Sequence, residues 1–287
     1  LRMAIAKAGL QLRDFVLTPL AYSKTILDDG QQEFGTIILD MGAGHTTATV
    51  VHDHQLKFLS TFPAGSDNIS RDISAVLEVG LHDADMLKLD SGLALSSMAR
   101  EDNKLVIKKI SSENAEQISE VLLAQIIEAR LMQILDKLGE KLQLVGAFDL
   151  PGGIVVVGGG AALRGMIEAI RSVYNVQVKS FSPTDIGLRH PGFSGAWALV
   201  HYAAQQSPIQ LIVKEALYGL PLTVVGQPTI AVAAPVQKPA TNRRPARPES
   251  QAVVEPSVND TDDVNYDDED KPKKKGAFLN FFKEFFD

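Results

Sequence analysis

The chain has 287 residues, of which 45% are hydrophobic and 22% are charged, and its formal net charge is −7. The negative charge argues against a global nucleic-acid-binding surface, and the length suffices for one sizeable core or two smaller ones. The absence of cysteine excludes disulfides and thiolate metal sites. Leu1 is not an initiator methionine, and residues 1–8 have the pattern of a helix interior, so we interpret the sequence as a fragment.

Three consecutive strands are predicted near the start of the chain. Residues 36–41 form a short apolar run rich in β-branched residues, which indicates a buried strand, and residues 46–51 and 55–62 follow the same pattern. Residues 52–54 supply the turn between the second and third strands. The predicted result is a strand–turn–strand–turn–strand meander.

Further strands and helices alternate along the rest of the chain. A helix over 66–79 is expected to be capped by Ser66 or Asp67, and the strongest helical periodicity covers 115–138. An edge strand is predicted at 104–110. Further strands are predicted at 154–157 and 176–179, the first leading through glycines into a helix that carries Leu163, and a last helix is predicted near 193–203. The alternation predicts an α/β fold.

The first glycine-rich loop, DMGAGHTT, covers residues 40–47 and joins two predicted strands. Gly42 and Gly44 permit a sharp turn and let backbone N–H groups approach phosphate oxygens, and Thr46 adds a hydroxyl. Asp40, at the end of a buried strand, is a candidate for holding the water shell of Mg²⁺. The alternative is a tight hairpin in which the glycines serve geometry alone.

The second glycine-rich loop, VVVGGGAALRGM, covers residues 155–166. Gly158, Gly159 and Gly160 place open backbone between a buried strand and a helix N-terminus, where an anionic or polar ligand is favoured. The segment lacks the Lys-Ser/Thr of a P-loop and does not match the dinucleotide-binding fingerprint. The alternative is an ordinary strand-to-helix turn.

As a pair, with about a hundred residues between them, the two loops resemble the second half of the actin-type ATPase pattern. Their order and spacing are similar to the bacterial cell-division FtsA family, as are FPAGSDNISRDIS at 62–74 and IIEARLMQIL at 126–135. The resemblance implies an actin-like, ribonuclease-H-like ATPase fold of which residues 1–218 hold the second half only, namely subdomains IIA and IIB with returning C-terminal elements. The family's first phosphate loop would then precede residue 1.

The resemblance also implies roles for individual residues. Family members often have Gly where Ala43 stands and Ser or Thr where His45 stands. Glu128 is expected to bind a ribose hydroxyl, and Arg130 is expected to meet the C-terminal peptide of FtsZ; the alternative for both is a solvated helix face with ordinary ion pairs. The implied nucleotide-binding set is Gly42, Ala43, Gly44, His45, Thr46, Glu128, Gly158, Gly159 and Gly160, with ATP and Mg²⁺ as cofactors and no direct protein ligand to the metal.

The C-terminal part of the sequence differs sharply from the rest. Residues 219–270 are rich in Pro, Ala and Asp, which predicts a disordered linker. Residues 271–287 join a basic stretch to an apolar arc of about 160° on a helical wheel, which predicts an amphipathic helix lying on an anionic membrane. A helix that docks in a protein groove or on the chain's own body is the alternative. The membrane-contacting residues are predicted to be Lys273, Lys274, Lys275, Phe278, Leu279, Phe281, Phe282, Phe285 and Phe286.

These features favour a cell-division scaffold, and at most a slow ATPase. It is expected to bind ATP, to self-associate, and to tether FtsZ filaments and other division proteins to the cytoplasmic side of the membrane at the septum, with no nucleic-acid partner. Two alternatives remain open: a chaperone-type or kinase-type ATPase of the same superfamily, and another actin-like membrane scaffold, such as one serving pilus assembly.

Overall fold

The computed structural model describes residues 1–218 apart from residues 11, 13 and 113. The helices are α1 (Arg2–Lys7), α2 (Thr18–Thr25), α3 (Asp29–Phe34), α4 (Ser66–Leu77), α5 (Leu81–Ser91), α6 (Glu120–Leu144), α7 (Met166–Tyr174), α8 (Ser194–Ala204) and α9 (Pro208–Tyr218). The strands are β1 (Thr36–Met41), β2 (Thr46–His52), β3 (Gln55–Phe62), β4 (Lys104–Lys108), β5 (Ala115–Ser119), β6 (Ile154–Val157) and β7 (Val178–Ser180). The predicted linker at 219–270 and the predicted membrane helix at 271–287 lie outside the described residues.

A mixed sheet with the strand order β3-β2-β1-β6-β7 forms the centre of the described part. Strands β1, β2 and β3 pair antiparallel through short turns, whereas β1–β6 and β6–β7 pair parallel and therefore need crossover connections. Asp40 of β1 lies opposite Thr47 on one side and Val157 on the other. The two glycine loops that follow β1 and β6 therefore leave the same edge of the sheet side by side.

Both faces of the sheet are covered by helices. Successive residues of a strand point to opposite faces, so Ile37 and Leu39 pack into a buried cluster with α6 and α7. Ile38 packs on the other face with Tyr22 of α2 and Ala198 of α8. Asp40 follows Ile38 by two residues and so faces the side that α2 and α8 cover.

Helix α6 is shared between two packing units. It has 25 residues and is about 37 Å long at the standard rise. Its first part, around Leu123 and Ile127, packs with α4, α5 and Ile107 of β4. Its second part, from Leu131 to Leu142, packs against the sheet. The same helix thus carries the smaller unit formed by α4, α5 and the β4–β5 hairpin and joins it to the sheet.

Most predicted strands are confirmed. β1, β3 and β6 have the expected bounds, β2 extends one residue further, and β4 covers most of the predicted edge strand. The last predicted helix is found as α8, while β7 begins two residues later than expected. Where the turn between β2 and β3 was predicted, Asp53 and His54 adopt positive φ angles of 53° and 55°.

Several helix boundaries were wrong. Residues 115–119 form β5 and pair with β4, and α6 begins only at residue 120, where the Ser119 hydroxyl accepts from the Leu122 amide at 3.2 Å. Helix α4 begins at Ser66, so neither Ser66 nor Asp67 is its cap. Instead, the amide of Gly65 donates to Asn68 Oδ1 at 3.1 Å.

The segment after the second glycine loop also differs from the prediction. Residues 159–162 form a single 3₁₀ turn, and α7 begins at Met166 after Gly165 at a φ of 82°. Leu163 therefore precedes the helix instead of belonging to it. Helix α5 was not predicted, because it buries only Ala84 and Lys88 and so has no apolar stripe. Among the described residues, no helix is both long and apolar enough to cross a membrane.

Candidate functional site

The two glycine loops open onto one cavity of about 700 Å³. Gly42 and Ala43 line it from the first loop, and Gly159 and Gly160 line it from the second. Thr46 lines it as well, whereas Asp40, Gly44, His45, Gly158 and Glu128 of the predicted set do not. The sheet register accounts for this meeting, because the ends of β1 and β6 are neighbours.

The first loop is fastened to the N-terminus of α4 through its carbonyl groups. The amide of Ser66 donates to the Gly42 carbonyl at 3.0 Å, and the amide of Asp67 donates to the Ala43 carbonyl at 2.9 Å. With the carbonyls turned toward α4, the N–H groups of residues 43–45 donate to no acceptor in the part of the chain that the structure describes. Consecutive unpaired amides of this kind suit an anion such as a phosphate.

Thr46 lies in a different environment from its loop neighbours. It is fully buried, and its hydroxyl donates to the Ala64 carbonyl at 2.9 Å. Its hydrogen is thereby committed to the backbone, and the hydroxyl holds the start of β2 against the segment that leads into α4. Gly44 and His45, by contrast, are exposed at the tip of the loop.

The second loop is shaped by close contact with β1. Gly158 has a φ of 85°, and a Cβ there would lie 2.5 Å from Asp40 Oδ1 and 2.7 Å from the Met41 carbonyl oxygen, so only glycine fits. Gly159 lines the cavity, and a Cβ on it would meet nothing within 4 Å. The N–H groups of Gly159 and Gly160 have no acceptor among the described residues.

Asp40 is held by a tyrosine that the sequence analysis did not identify. The Tyr22 hydroxyl donates to Asp40 Oδ2 at 3.2 Å. Burial raises the pKa of Asp40 above its ordinary 3.8, while the hydrogen bond from Tyr22 and the nearby His45 lower it. Burial, and then the charge of Asp40, raise the pKa of the Tyr22 hydroxyl, so it remains a donor near neutral pH. Mg²⁺ prefers oxygen ligands and usually keeps several of its waters, and a half-buried carboxylate at the ends of β1 and β6 can accept hydrogen bonds from those waters.

Lys88 of α5 is a buried cation in the cavity wall that the sequence analysis also missed. Only 6% of the residue is exposed. Its ammonium group donates to the Ser66 carbonyl at 3.1 Å, to the hydroxyls of Ser66 and Ser70 at 2.7 Å each, and to Asp85 Oδ1 at 2.8 Å. A single lysine on a helix without an apolar stripe gives no sequence signal. Lys88 ties α5 to the start of α4, where the first glycine loop is fastened.

Glu128 and Arg130 both make contacts within the described part of the chain. Glu128 Oε2 accepts from the Ser96 amide at 2.8 Å. Arg130 donates to both carboxylate oxygens of Asp72, from Nε at 2.6 Å and from Nη2 at 2.8 Å, and it also contacts Gln133. The side chains of Arg130 and Asp72 are 14% and 8% exposed. The pair connects α6 with α4.

The sequence of the chain matches a known protein family. The family model described as Cell division protein FtsA matches residues 37–198. Cell division protein FtsA of Enterococcus faecalis is 39% identical over 219 residues, which cover 76% of this chain and 50% of that protein. The protein of the same name from Enterococcus hirae is 34% identical over 283 residues, which cover 98% of this chain and 62% of that protein. The chain therefore spans one half to about three fifths of these curated relatives.

Solved structures extend the comparison to the fold. The crystal structure of MreB5 of Spiroplasma citri bound to ADP is similar with a TM-score of 0.57 and 16% identity, covering 75% of this chain and 65% of that one. At this identity the likeness concerns the fold alone, and it confirms the predicted actin-like α/β class. Because the family model matches more than half of the sequence, the chain belongs to the cell division protein FtsA family.

Proposed function

We propose that this chain supplies one wall of an ATP-binding cleft in a cell-division scaffold that tethers FtsZ filaments to the cytoplasmic side of the membrane at the septum. The observation that carries the proposal is the meeting of the two glycine loops at one cavity. Membership of a family of cell division proteins supports the division role. The ADP named with the similar MreB5 structure supports a nucleotide as the ligand.

Different residues of this chain would contact different parts of the nucleotide and its Mg²⁺. The N–H groups of residues 43–45, which have no acceptor within the described ranges, would bind phosphate oxygens, and the open backbone at Gly159 and Gly160 would admit the nucleoside part. Asp40 would hold the water shell of Mg²⁺, which when bound offsets phosphate charge. Lys88 would keep its hydrogen bonds to Ser66, whose amide donates to the Gly42 carbonyl, and would thereby hold the first glycine loop in position.

The direct test is nucleotide affinity when the cavity is filled. Gly159→Leu adds a side chain where no atom lies within 4 Å, so it should fold normally and obstruct the cavity. Gly30→Leu makes the same change on exposed α3, outside the cavity, and is the matched control. Calorimetric titration of the complete gene product with ATP and Mg²⁺ should show a loss of at least about tenfold for Gly159→Leu only. Equal affinity in both variants would exclude this cavity as the nucleotide site.

The tether is proposed from the sequence of residues 271–287. An apolar arc of phenylalanines beside Lys273, Lys274 and Lys275 suits an anionic membrane surface, each lysine contributing roughly 1 kcal/mol. The membrane-facing residues would be Phe278, Leu279, Phe281, Phe282, Phe285 and Phe286. FtsZ would bind near α6, where an acidic peptide would meet Arg130 already paired with Asp72.

Flotation with anionic vesicles in the presence of FtsZ tests the tether. The double substitution Phe281→Glu/Phe282→Glu should prevent the protein from floating with the vesicles, so that FtsZ also stays in the bottom fraction of the gradient. Asn280→Glu/Lys283→Gln changes the net charge by the same two units but keeps the phenylalanines, so it should still float. A wild-type protein that stays in the pellet would instead assign residues 271–287 to a protein groove.

A further inference from the structure

The two carboxylate oxygens of Asp40 have different surroundings. Oδ2 accepts a hydrogen bond from Tyr22, 18 residues earlier in the chain, at 3.2 Å. Oδ1 is directed at the second glycine loop, so closely that a Cβ on Gly158 would lie 2.5 Å from it. The hydroxyl of Tyr22 therefore occupies one oxygen and leaves the other facing the loop.

Tyr22 is itself fixed by its surroundings. It is 3% exposed and packs with Ile38 of β1 and Ala198 of α8 in the buried cluster on this face of the sheet. A Cβ on Gly195 of α8 would lie 3.1 Å from the Tyr22 hydroxyl oxygen, so the glycine leaves the space that the hydroxyl occupies. A buried tyrosine hydroxyl normally has a hydrogen-bond partner, and here the partner is the Asp40 carboxylate.

We propose that Tyr22 is a positioning residue for Asp40, holding one carboxylate oxygen so that the other stays turned toward the second glycine loop. The inference rests on the proposed function, in which Asp40 holds the water shell of the Mg²⁺ that accompanies ATP. Helices α2 and α8, whose residues do not line the cavity, thereby take part in Mg²⁺ recognition. An Asp40 side chain that the Tyr22 hydroxyl keeps in one χ1 rotamer needs less ordering when a hydrated cation arrives than one that samples several rotamers.

Tyr22→Phe in the complete gene product tests the inference, because it keeps the packed ring and removes only the hydroxyl. Tyr174→Phe is the matched control: Tyr174 is also a largely buried tyrosine, but it donates to the Leu135 carbonyl on the opposite side of the sheet. Gly195→Ala is a second test variant, because it keeps the hydroxyl but places a methyl group 3.1 Å from its oxygen.

Two measurements are made on each variant. The first needs no nucleotide: side-chain coupling constants from NMR report whether Asp40 occupies one χ1 rotamer. We expect one rotamer in the wild type and in Tyr174→Phe, and averaging in Tyr22→Phe and Gly195→Ala. The second is ATP affinity with Mg²⁺ and with excess EDTA. We expect a loss of about tenfold in Tyr22→Phe with Mg²⁺ present, and no change in EDTA.

The outcomes separate this inference from the proposed function. A single Asp40 rotamer in Tyr22→Phe, together with wild-type Mg²⁺ dependence, overturns the inference. So does a loss of affinity that is equal with and without Mg²⁺ or is shared by Tyr174→Phe, since that would mark a general effect of removing a buried hydroxyl. If the wild type binds no nucleotide, the proposed function fails, while the rotamer measurement still decides whether Tyr22 positions Asp40.

Discussion

Removal of the buried ammonium group of Lys88 gives the sharpest test of how the cavity wall is held together. Lys88→Met keeps most of the apolar stem and deletes the charge that donates to Ser66, Ser70 and Asp85. Hydrogen bonds to charged groups contribute about 1.5–3 kcal/mol each, but burying the ammonium group offsets part of that gain. The Asp85 side chain is 46% exposed and can rehydrate. We therefore expect a loss of about 2 kcal/mol in the free energy of unfolding.

Urea denaturation followed by far-ultraviolet circular dichroism measures this change, provided that the slope against urea concentration stays the same. Lys137→Met is the matched control, because Lys137 is 53% exposed and lies 3.6 Å from Glu140, so the change should cost less than about 0.5 kcal/mol. A Lys88→Met protein within about 0.5 kcal/mol of the wild type would refute the reasoning. It would mean that the desolvation cost cancels the four contacts.

Three further predictions follow from the same structure. The hydrogen bond from Lys88 holds the pKa of Asp85 below its ordinary 3.8. The ionised Asp85 therefore stabilises the folded state above the ordinary pKa, and this contribution is lost as the pH falls through the lower pKa of the folded state. Asp85→Asn should therefore flatten the fall in melting temperature below about pH 4. An unchanged acid slope would contradict this. Asp72→Asn removes the charge of Asp72 from its pair with Arg130 and should lower the free energy of unfolding by about 3 kcal/mol, measured by denaturation. A loss below about 1 kcal/mol would show that the pair is solvated. Gly158→Ala should cost at least about 1 kcal/mol, because it forces a methyl group against β1 at a positive φ, and a neutral change in the same assay would exclude that contact.

Local patterns were sufficient to predict the centre of the fold. The β-branched runs of β1 and β6 and the turn between β2 and β3 depend on neighbours in sequence, so their bounds were predicted almost to the residue. The two glycine loops were likewise predicted as a pair. Their meeting at one cavity follows from the parallel pairing of β1 with β6, which the sequence indicates only through its family resemblance.

Boundaries that depend on packing were predicted less well. Residues 115–119 have a composition that a helix tolerates, but pairing with β4 draws them into β5, and the cap at Ser119 then sets the start of α6. Helix α5 has no apolar stripe, because it buries a charged side chain in place of a hydrophobic one. Neither feature has a periodic signal in the sequence.

The sequence by itself therefore determined the individual strands and the two glycine loops, because these depend on short segments whose residues interact with near neighbours, and its motifs also indicated the membership of the FtsA family. Only the tertiary structure decided which side chains surround them. Tyr22 reaches Asp40 across 18 residues, Lys88 reaches Ser66 across 22, and Arg130 reaches Asp72 across 58. Such contacts depend on how separate helices pack on the sheet, and a single polar residue on a helix does not reveal which distant partner that packing will bring to it.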